Sequence, residues 1–190
     1  MKVGLYFGSF NPVHTGHLII ANHVLNFTDL DEVWFVISPQ NPFKKRKNLI
    51  DSYDRLALVQ LAIGDNSRLK PCTIEFKMPV PSYTVDTLAY LKDNYSGYDF
   101  SLIMGSDNLV NFHKWKNYEV ILKYHNIIVY MRPGYTEVPF LDHPAVKTLK
   151  APLLEISSSF IRKLLKEGKS IQYLVPDKVY KEIIKSSLYK

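Results

Sequence analysis

Short apolar runs alternate along this chain with longer segments in which apolar residues recur every three or four positions. Runs such as Val33-Trp34-Phe35-Val36-Ile37 lack polar alternation, which is typical of parallel strands covered on both faces. The longer segments have the period of amphipathic helices. The pattern therefore predicts an α/β fold, a Rossmann-like doubly wound parallel sheet of about five strands with helices on both faces and a small C-terminal helical part.

Strands are predicted near 2–7, 33–38, 70–76, 100–104 and 126–130, and helices near 15–27, 52–63, 84–95, 116–123, 158–166 and 177–186. Asp51 can cap the second helix, and Ser157 or Ser158 the fifth, which Gly168 can end. The proline-bearing stretch from Gly134 to Pro152 is predicted to be a surface excursion. We expect one domain over 1–190, helical from about 153.

The composition limits the class of protein. At 190 residues with 46% apolar residues, the chain can bury a sizeable core. Its single cysteine, Cys72, cannot form an internal disulfide, and no secretory leader pattern opens the sequence. No run approaches the ~20 apolar residues that cross a bilayer. We expect a soluble, cytoplasmic protein without a membrane partner.

The formal net charge of +6 fits either a nucleic-acid surface or a pocket for phosphate-rich small molecules. One basic cluster is Lys44-Lys45-Arg46-Lys47, and the segment from Arg162 onward is also basic. No zinc-finger spacing, heptad repeat or RNA-binding sheet motif accompanies these residues, so no nucleic-acid partner is expected. A solvated basic face remains an alternative for most of the lysines.

The chemistry is concentrated in one stretch, Gly8-Ser9-Phe10-Asn11-Pro12-Val13-His14-Thr15-Gly16-His17. It lies between a predicted strand and a predicted helix, where unpaired N–H groups and a partial positive charge favour phosphate. His14 and His17, three residues apart, can point the same way and donate to phosphoryl oxygens. The alternatives are a pair of metal ligands, for which the spacing supplies no third ligand, and ordinary polar residues at a helix start. No protein metal site is expected.

This stretch resembles the (H/T)-x-G-H motif of the nucleotidyltransferase superfamily, and Ile156-Ser157-Ser158-Ser159-Phe160-Ile161-Arg162 resembles its I-S-S-S/T-x-I-R element. Further segments resemble the bacterial nicotinate-mononucleotide adenylyltransferases over most of the chain. That family commonly has Gly-Gly-Thr-Phe-Asp-Pro, and Gly8-Ser9-Phe10-Asn11-Pro12 corresponds to the last five of these residues with small or isosteric changes.

The resemblance implies an ATP site. It implies that His14, His17 and Arg162 are catalytic. The histidines would contact the triphosphate, and the arginine would lie near the leaving pyrophosphate. Without the upstream motif, Arg162 would fit a capped surface helix. Lys44 matches a basic loop of the family, although Lys45 could take that role. The full predicted ATP set is Gly8, Ser9, Phe10, His14, His17, Lys44, Gly105, Asp107, Ile156, Ser158, Ser159 and Arg162.

The acceptor side is indicated by Pro81-Ser82-Tyr83-Thr84-Val85-Asp86-Thr87-Leu88, which matches the family's P-S-Y-T-x-D-T-L. Thr84 opens a predicted helix whose N–H groups could receive a carboxylate. Trp115 could stack on a pyridine ring, although alone it would fit core or surface packing. Thr84, Trp115 and Tyr118 are the predicted acceptor-binding residues, and Asp86 is expected to point away from the ring substituent or to contact the backbone.

The resemblance implies adenylyl transfer from ATP to nicotinate mononucleotide, with Mg²⁺ carried by ATP. The alternatives are a related adenylyltransferase acting on nicotinamide mononucleotide or a pantetheine phosphate, and a binding protein without catalysis. A homo-oligomer is compatible with the sequence, which does not fix the oligomeric state.

Overall fold

The computed structural model describes residues 1–40, 49–135, 137–152 and 155–189. Within these ranges the strands are β1 (Lys2–Gly8), β2 (Glu32–Ile37), β3 (Leu69–Cys72), β4 (Asp99–Gly105), β5 (Ile127–Tyr130) and β6 (Val146–Leu149). The α-helices are α1 (Thr15–Phe27), α2 (Ser52–Ile63), α3 (Thr84–Asn94), α4 (Ser106–Val110), α5 (Tyr118–Tyr124), α6 (Ser158–Lys166) and α7 (Asp177–Ser186).

The strands form one parallel sheet in the order β3-β2-β1-β4-β5-β6. The chain winds outward in one direction from β1 and in the other from β4, so the strand order reverses between these two neighbours. Ligands of such sheets bind beyond the carboxyl ends of the strands at this switch point. Gly8 and Gly105 end the two strands there. The predicted doubly wound α/β fold is confirmed.

The sheet separates two hydrophobic cores, because successive side chains of a strand point to opposite faces. Tyr6 of β1 packs with buried residues of α1, α2, α6 and α7, whereas Leu5 packs with residues of α3 and α5. Ile161 of α6 and Val179 of α7 belong to the first core, so the C-terminal helices cover one sheet face. That the whole chain forms one domain stays a prediction.

The sheet has six strands rather than about five, because β6 lies within the predicted surface excursion. Val146 is buried, while Lys147 and Thr148 are exposed. An edge strand of four residues with polar side chains has too little apolar alternation to be recognised among prolines.

The strand predicted near 70–76 was too long. β3 ends at Cys72, and Ile74–Lys77 form a 3-10 helix that turns Glu75 into the protein. Ile74 and Phe76 extended the apolar pattern past the true end of the strand. The short helix α4 was not predicted, and α5 begins two residues later than predicted, at Tyr118.

No helix in the described ranges has both the length and the apolar content needed to cross a membrane.

Candidate active site

A cavity of about 450 Å³ opens at the switch point of the sheet. Its walls come from the loop after β1, the ends of β2 and β4, and the N-terminal ends of α3 and α6. The predicted site residues that line it are Gly8, Ser9, Phe10, His14, His17, Thr84, Asp107, Trp115, Ile156, Ser158, Ser159 and Arg162. Segments far apart in the sequence therefore meet in one cavity.

Three predicted residues are not among those that line the cavity. Gly105 is the last residue of β4 and lies two residues before the cavity-lining Asp107. Tyr118 packs its ring against Phe112 and Phe140, at centroid distances of 5.9 and 5.8 Å. Lys44 lies outside the described residues.

The loop after β1 is tightly folded around an aromatic side chain. Phe10 has a left-handed backbone (φ 46°), and its buried ring lies under Gly8. A Cβ atom at position 8 would lie 2.8 Å from that ring. Glycine at this position therefore lets Phe10 fold back and keeps the strand end open to the cavity.

His14 and His17 stack at the start of α1, with ring centroids 3.7 Å apart and an interplanar angle of 29°. The backbone N–H of His14 donates to Nδ1 of His17 at 3.2 Å. Because Nδ1 accepts, the neutral ring carries its proton on Nε2, which makes Nε2 a hydrogen-bond donor. The fold thus fixes the tautomer that can donate to a phosphoryl oxygen.

Burial lowers the pKa of His14 to about 4, and the positive charge of Arg132 acts in the same direction. The imidazole is therefore neutral at pH 7. Among the described residues, its Nδ1 atom is buried without a hydrogen-bond partner. A buried polar atom of this kind is costly unless a ligand or water satisfies it, as expected of a binding site.

The start of α6 is attached to the loop after β1. Ser157 caps the helix by accepting from the N–H of Phe160 at 3.1 Å. Ser158 Oγ donates to the carbonyl oxygen of Pro12 at 2.8 Å, and Arg162 Nη1 donates to that of Asn11 at 2.6 Å. The N-terminal end of α6, which favours anions, is thereby fixed beside the two histidines.

A buried arginine that the sequence did not single out supports this loop. Arg55 of α2 is 1% exposed and donates to the carbonyl oxygens of Ser9, Ser38, Pro39 and Ile50 at 2.7 to 3.3 Å. Burial lowers its pKa, and the carbonyl groups replace the water that its charge has lost. Arg55 therefore connects the loops that follow β1 and β2.

Arg132, which follows β5, is a second cation at the cavity that the prediction did not include. Its Nε lies 3.3 Å from Oδ1 of Asp107, and its Nη2 donates to the hydroxyl of Tyr130 at 3.2 Å. The cavity wall beside His14 thus holds an arginine fixed by a carboxylate and a phenol. The sequence could have indicated Arg132, because it follows a buried strand and so lies at the same edge of the sheet as Gly8.

The start of α3 forms the other end of the cavity, with Thr84 and the half-buried Trp115. The buried carboxylate of Glu75 accepts from Ser82 Oγ at 2.7 Å and from Thr87 Oγ1 at 2.9 Å. Burial raises the pKa of Glu75, while these hydrogen bonds oppose the rise. Glu75 therefore fixes the first turn of α3 to the segment after β3, a role that its sequence position does not reveal.

The fold and the cavity define a doubly wound α/β protein with histidine, serine and arginine side chains gathered around a cavity at the switch point of its sheet. The family model described as "Cytidylyltransferase-like" matches residues 5–164. The chain belongs to this family, and the curated relatives reported below are named "Probable nicotinate-nucleotide adenylyltransferase".

Two curated relatives span nearly the whole chain. A protein of Flavobacterium psychrophilum named "Probable nicotinate-nucleotide adenylyltransferase" is 55% identical over 100% of both chains. A protein of Bacteroides thetaiotaomicron with the same name is 43% identical over 96% of this chain and 91% of its own.

A solved structure has the same fold. It is the nicotinic acid mononucleotide adenylyltransferase of Plasmodium falciparum complexed with NaAD, with a TM-score of 0.82 and 23% identity. The match covers 99% of this chain and 97% of that one.

Proposed function

We propose that the protein transfers the adenylyl group of ATP to nicotinate mononucleotide, which yields deamido-NAD and pyrophosphate for NAD biosynthesis. One observation carries this proposal: a single cavity joins an end lined by His14, His17 and Arg162, which suit phosphate, to an end lined by Trp115 and the start of α3. The names of the full-length relatives support the same reaction.

The reaction is an in-line displacement at phosphorus. An oxygen of the acceptor's 5′-phosphate forms a bond to the α-phosphorus of ATP. The bond between that phosphorus and the bridging oxygen to the β-phosphate breaks, and its electron pair leaves with pyrophosphate. An ionised phosphate is already a nucleophile, so the protein supplies placement and charge stabilisation.

Each cluster has a role in that step. Nε2–H of His17 and the neutral ring of His14 stabilise charge on the phosphoryl oxygens. Arg162, Ser158, Ser159 and the N-terminal end of α6 bind the β- and γ-phosphates. The loop from Gly8 to Phe10, with Gly105, Asp107 and Ile156, completes the ATP side. Lys44 remains a predicted ATP contact.

Mg²⁺ enters this proposal with ATP, whose phosphate oxygens hold it. Within the described ranges, no three side chains of histidine, cysteine, aspartate or glutamate cluster as metal ligands. The donors at the cavity are N–H, hydroxyl and guanidinium groups, which fit phosphate oxygens rather than a cation. When bound, the ion neutralises phosphate charge.

Thr84 and Trp115 form the proposed acceptor end, where the indole stacks on the pyridine ring. Tyr118 is not among the residues that line the cavity and packs against Phe112, which also contacts Trp115; its acceptor contact stays a prediction. A cytoplasmic location, homo-oligomer formation and the lack of a nucleic-acid partner stay predictions.

The test is an acceptor panel. Pyrophosphate release from ATP is measured with nicotinate mononucleotide, nicotinamide mononucleotide, a pantetheine phosphate, and no acceptor. The proposal expects release with the first compound above all others. Release that favours the pantetheine phosphate would assign another adenylyltransferase activity, and no release with any acceptor would leave a nucleotide-binding protein without catalysis.

A further inference from the structure

Lys116 follows Trp115 and is among the residues that line the cavity at its proposed acceptor end. Its ammonium nitrogen lies 2.8 and 3.1 Å from the two carboxylate oxygens of Asp86, in the first turn of α3. The same nitrogen lies 4.9 Å from the centroid of the Tyr83 ring. Two elements, α3 and the segment before α5, therefore hold one positive charge at this wall.

The Asp86 carboxylate contacts Lys116, and that it points away from the ring substituent of the acceptor or contacts the backbone stays a prediction. The Lys116 and Asp86 side chains are both 45% exposed. Ion pairs exposed to this extent add little to stability because water screens them. The contact instead places the carboxylate of Asp86 beside the ammonium of a cavity-lining lysine.

An ammonium group has three N–H donors, of which Asp86 occupies at most two. The four-carbon side chain is flexible, so the ammonium can turn toward a ligand without leaving the carboxylate. The Tyr83 ring, which also lines the cavity, holds the ammonium by a cation–π contact.

We infer that Lys116 is a specificity-determining residue that selects a pyridine carboxylate over a pyridine amide. Its ammonium donates to the carboxylate and neutralises Asp86, which would otherwise repel it. An amide carries no charge and gains only a weak contact. This inference rests on the proposed adenylyl transfer.

The position of Lys116 supports a role in acceptor selection rather than a place on a general basic surface. Lys116 lines the same cavity end as Thr84 and Trp115, where the acceptor's ring is proposed to lie. Lys114, two residues earlier, instead donates to Oδ1 of Asn111 at 2.9 Å and is not among the cavity-lining residues. The chain therefore offers a matched control lysine of the same charge.

The experiment measures kcat/KM for nicotinate mononucleotide and nicotinamide mononucleotide at fixed ATP. Lys116→Met should lower the acid-to-amide ratio about fivefold, the size of a partly exposed charge contact, through loss of the acid value alone. Lys116→Arg should have an acid-to-amide ratio close to that of the wild type, and Lys114→Met should have the wild-type ratio. Asp86→Asn should raise the ratio because it frees the ammonium.

A Lys116→Met variant with the wild-type ratio, or with equal losses for both acceptors, would overturn the inference. So would a Lys116→Arg variant as impaired as Lys116→Met, or an Asp86→Asn variant whose ratio does not rise. Failure of the proposed function looks different, because the wild type would then release no pyrophosphate with either acceptor.

Discussion

His17 shows how one backbone contact prepares a side chain for chemistry. Its Nδ1 accepts from the N–H of His14, and its ring packs edge-on against Phe10 at 5.1 Å. The Nε2 donor is thus fixed before substrate binds, so in the proposed reaction little reorganisation would be needed as charge develops on phosphate.

His17→Ala should therefore reduce turnover about 100-fold or more, the usual cost of losing one preorganised donor to a developing oxyanion. His23→Ala, on the same helix but not among the cavity-lining residues, is the control and should keep full turnover. Steady-state kcat and the melting temperature are measured together. Normal turnover in a folded His17→Ala protein would refute the proposed role.

We propose that Arg162 acts on the ATP side, because it belongs to the serine-rich start of α6 and lies far in sequence from the proposed acceptor segments. Arg162→Ala should raise the KM for ATP much more than that for the acceptor. Lys163→Ala, whose 71% exposed side chain pairs with Glu167, is the matched control. A rise confined to the KM for the acceptor would show that Arg162 acts on the acceptor rather than on ATP.

Residue types explain which site residues the sequence could reveal. The histidines and the serine run have unusual spacing next to glycines, so they could be found. Arg55 could not, because an arginine on an amphipathic helix is normally exposed. Only the folded chain brings the carbonyl oxygens of Ser9, Ser38, Pro39 and Ile50 around its guanidinium.

Among the elements, α6 owes its start to a single hydroxyl. Ser157→Ala removes the hydrogen bond to the N–H of Phe160 and should lower the free energy of unfolding by about 1 kcal/mol. The exposed Ser67 in the loop before β3 provides the control, Ser67→Ala. Urea denaturation measures both, and equal stabilities would contradict the capping role.

Elements with a strong period and a clear cap were predicted closely. α2 begins after Asp51, which accepts from the N–H of Tyr53 at 2.7 Å, and Gly168 follows α6 with a φ of 65°. The errors concern short elements. α4 has five residues and β6 has four, too few for a periodic signal, and both depend on the sheet that they contact.

The burial of His14 makes the free energy of unfolding of the whole protein depend on pH. Its pKa is about 4 when folded and near 6.5 in the unfolded chain, so the unfolded state binds the proton more readily between these values. Stability is therefore unaffected by this group above pH 6.5 and falls as the pH drops toward 4. Between pH 6.5 and pH 4 this group lowers the free energy of unfolding by about 3 kcal/mol.

Chemical denaturation of the wild type and of His14→Asn from pH 7.5 to 4 tests this linkage. The difference between the two unfolding free energies isolates His14 from other titrating groups such as Glu75. We expect that difference to shift by about 3 kcal/mol in favour of the variant as the pH falls. A pH-independent difference would show that His14 is not buried in its neutral form.

The contacts of α6 also bear on how the enzyme is made. Ser158 and Arg162 meet carbonyl groups that lie 146 and 151 residues earlier in the chain. A ribosome therefore synthesises the histidine loop long before the helix that completes its phosphate site. We expect that nascent chains remain unable to use ATP until α6 has left the exit tunnel, so premature termination yields inactive products rather than partially active ones.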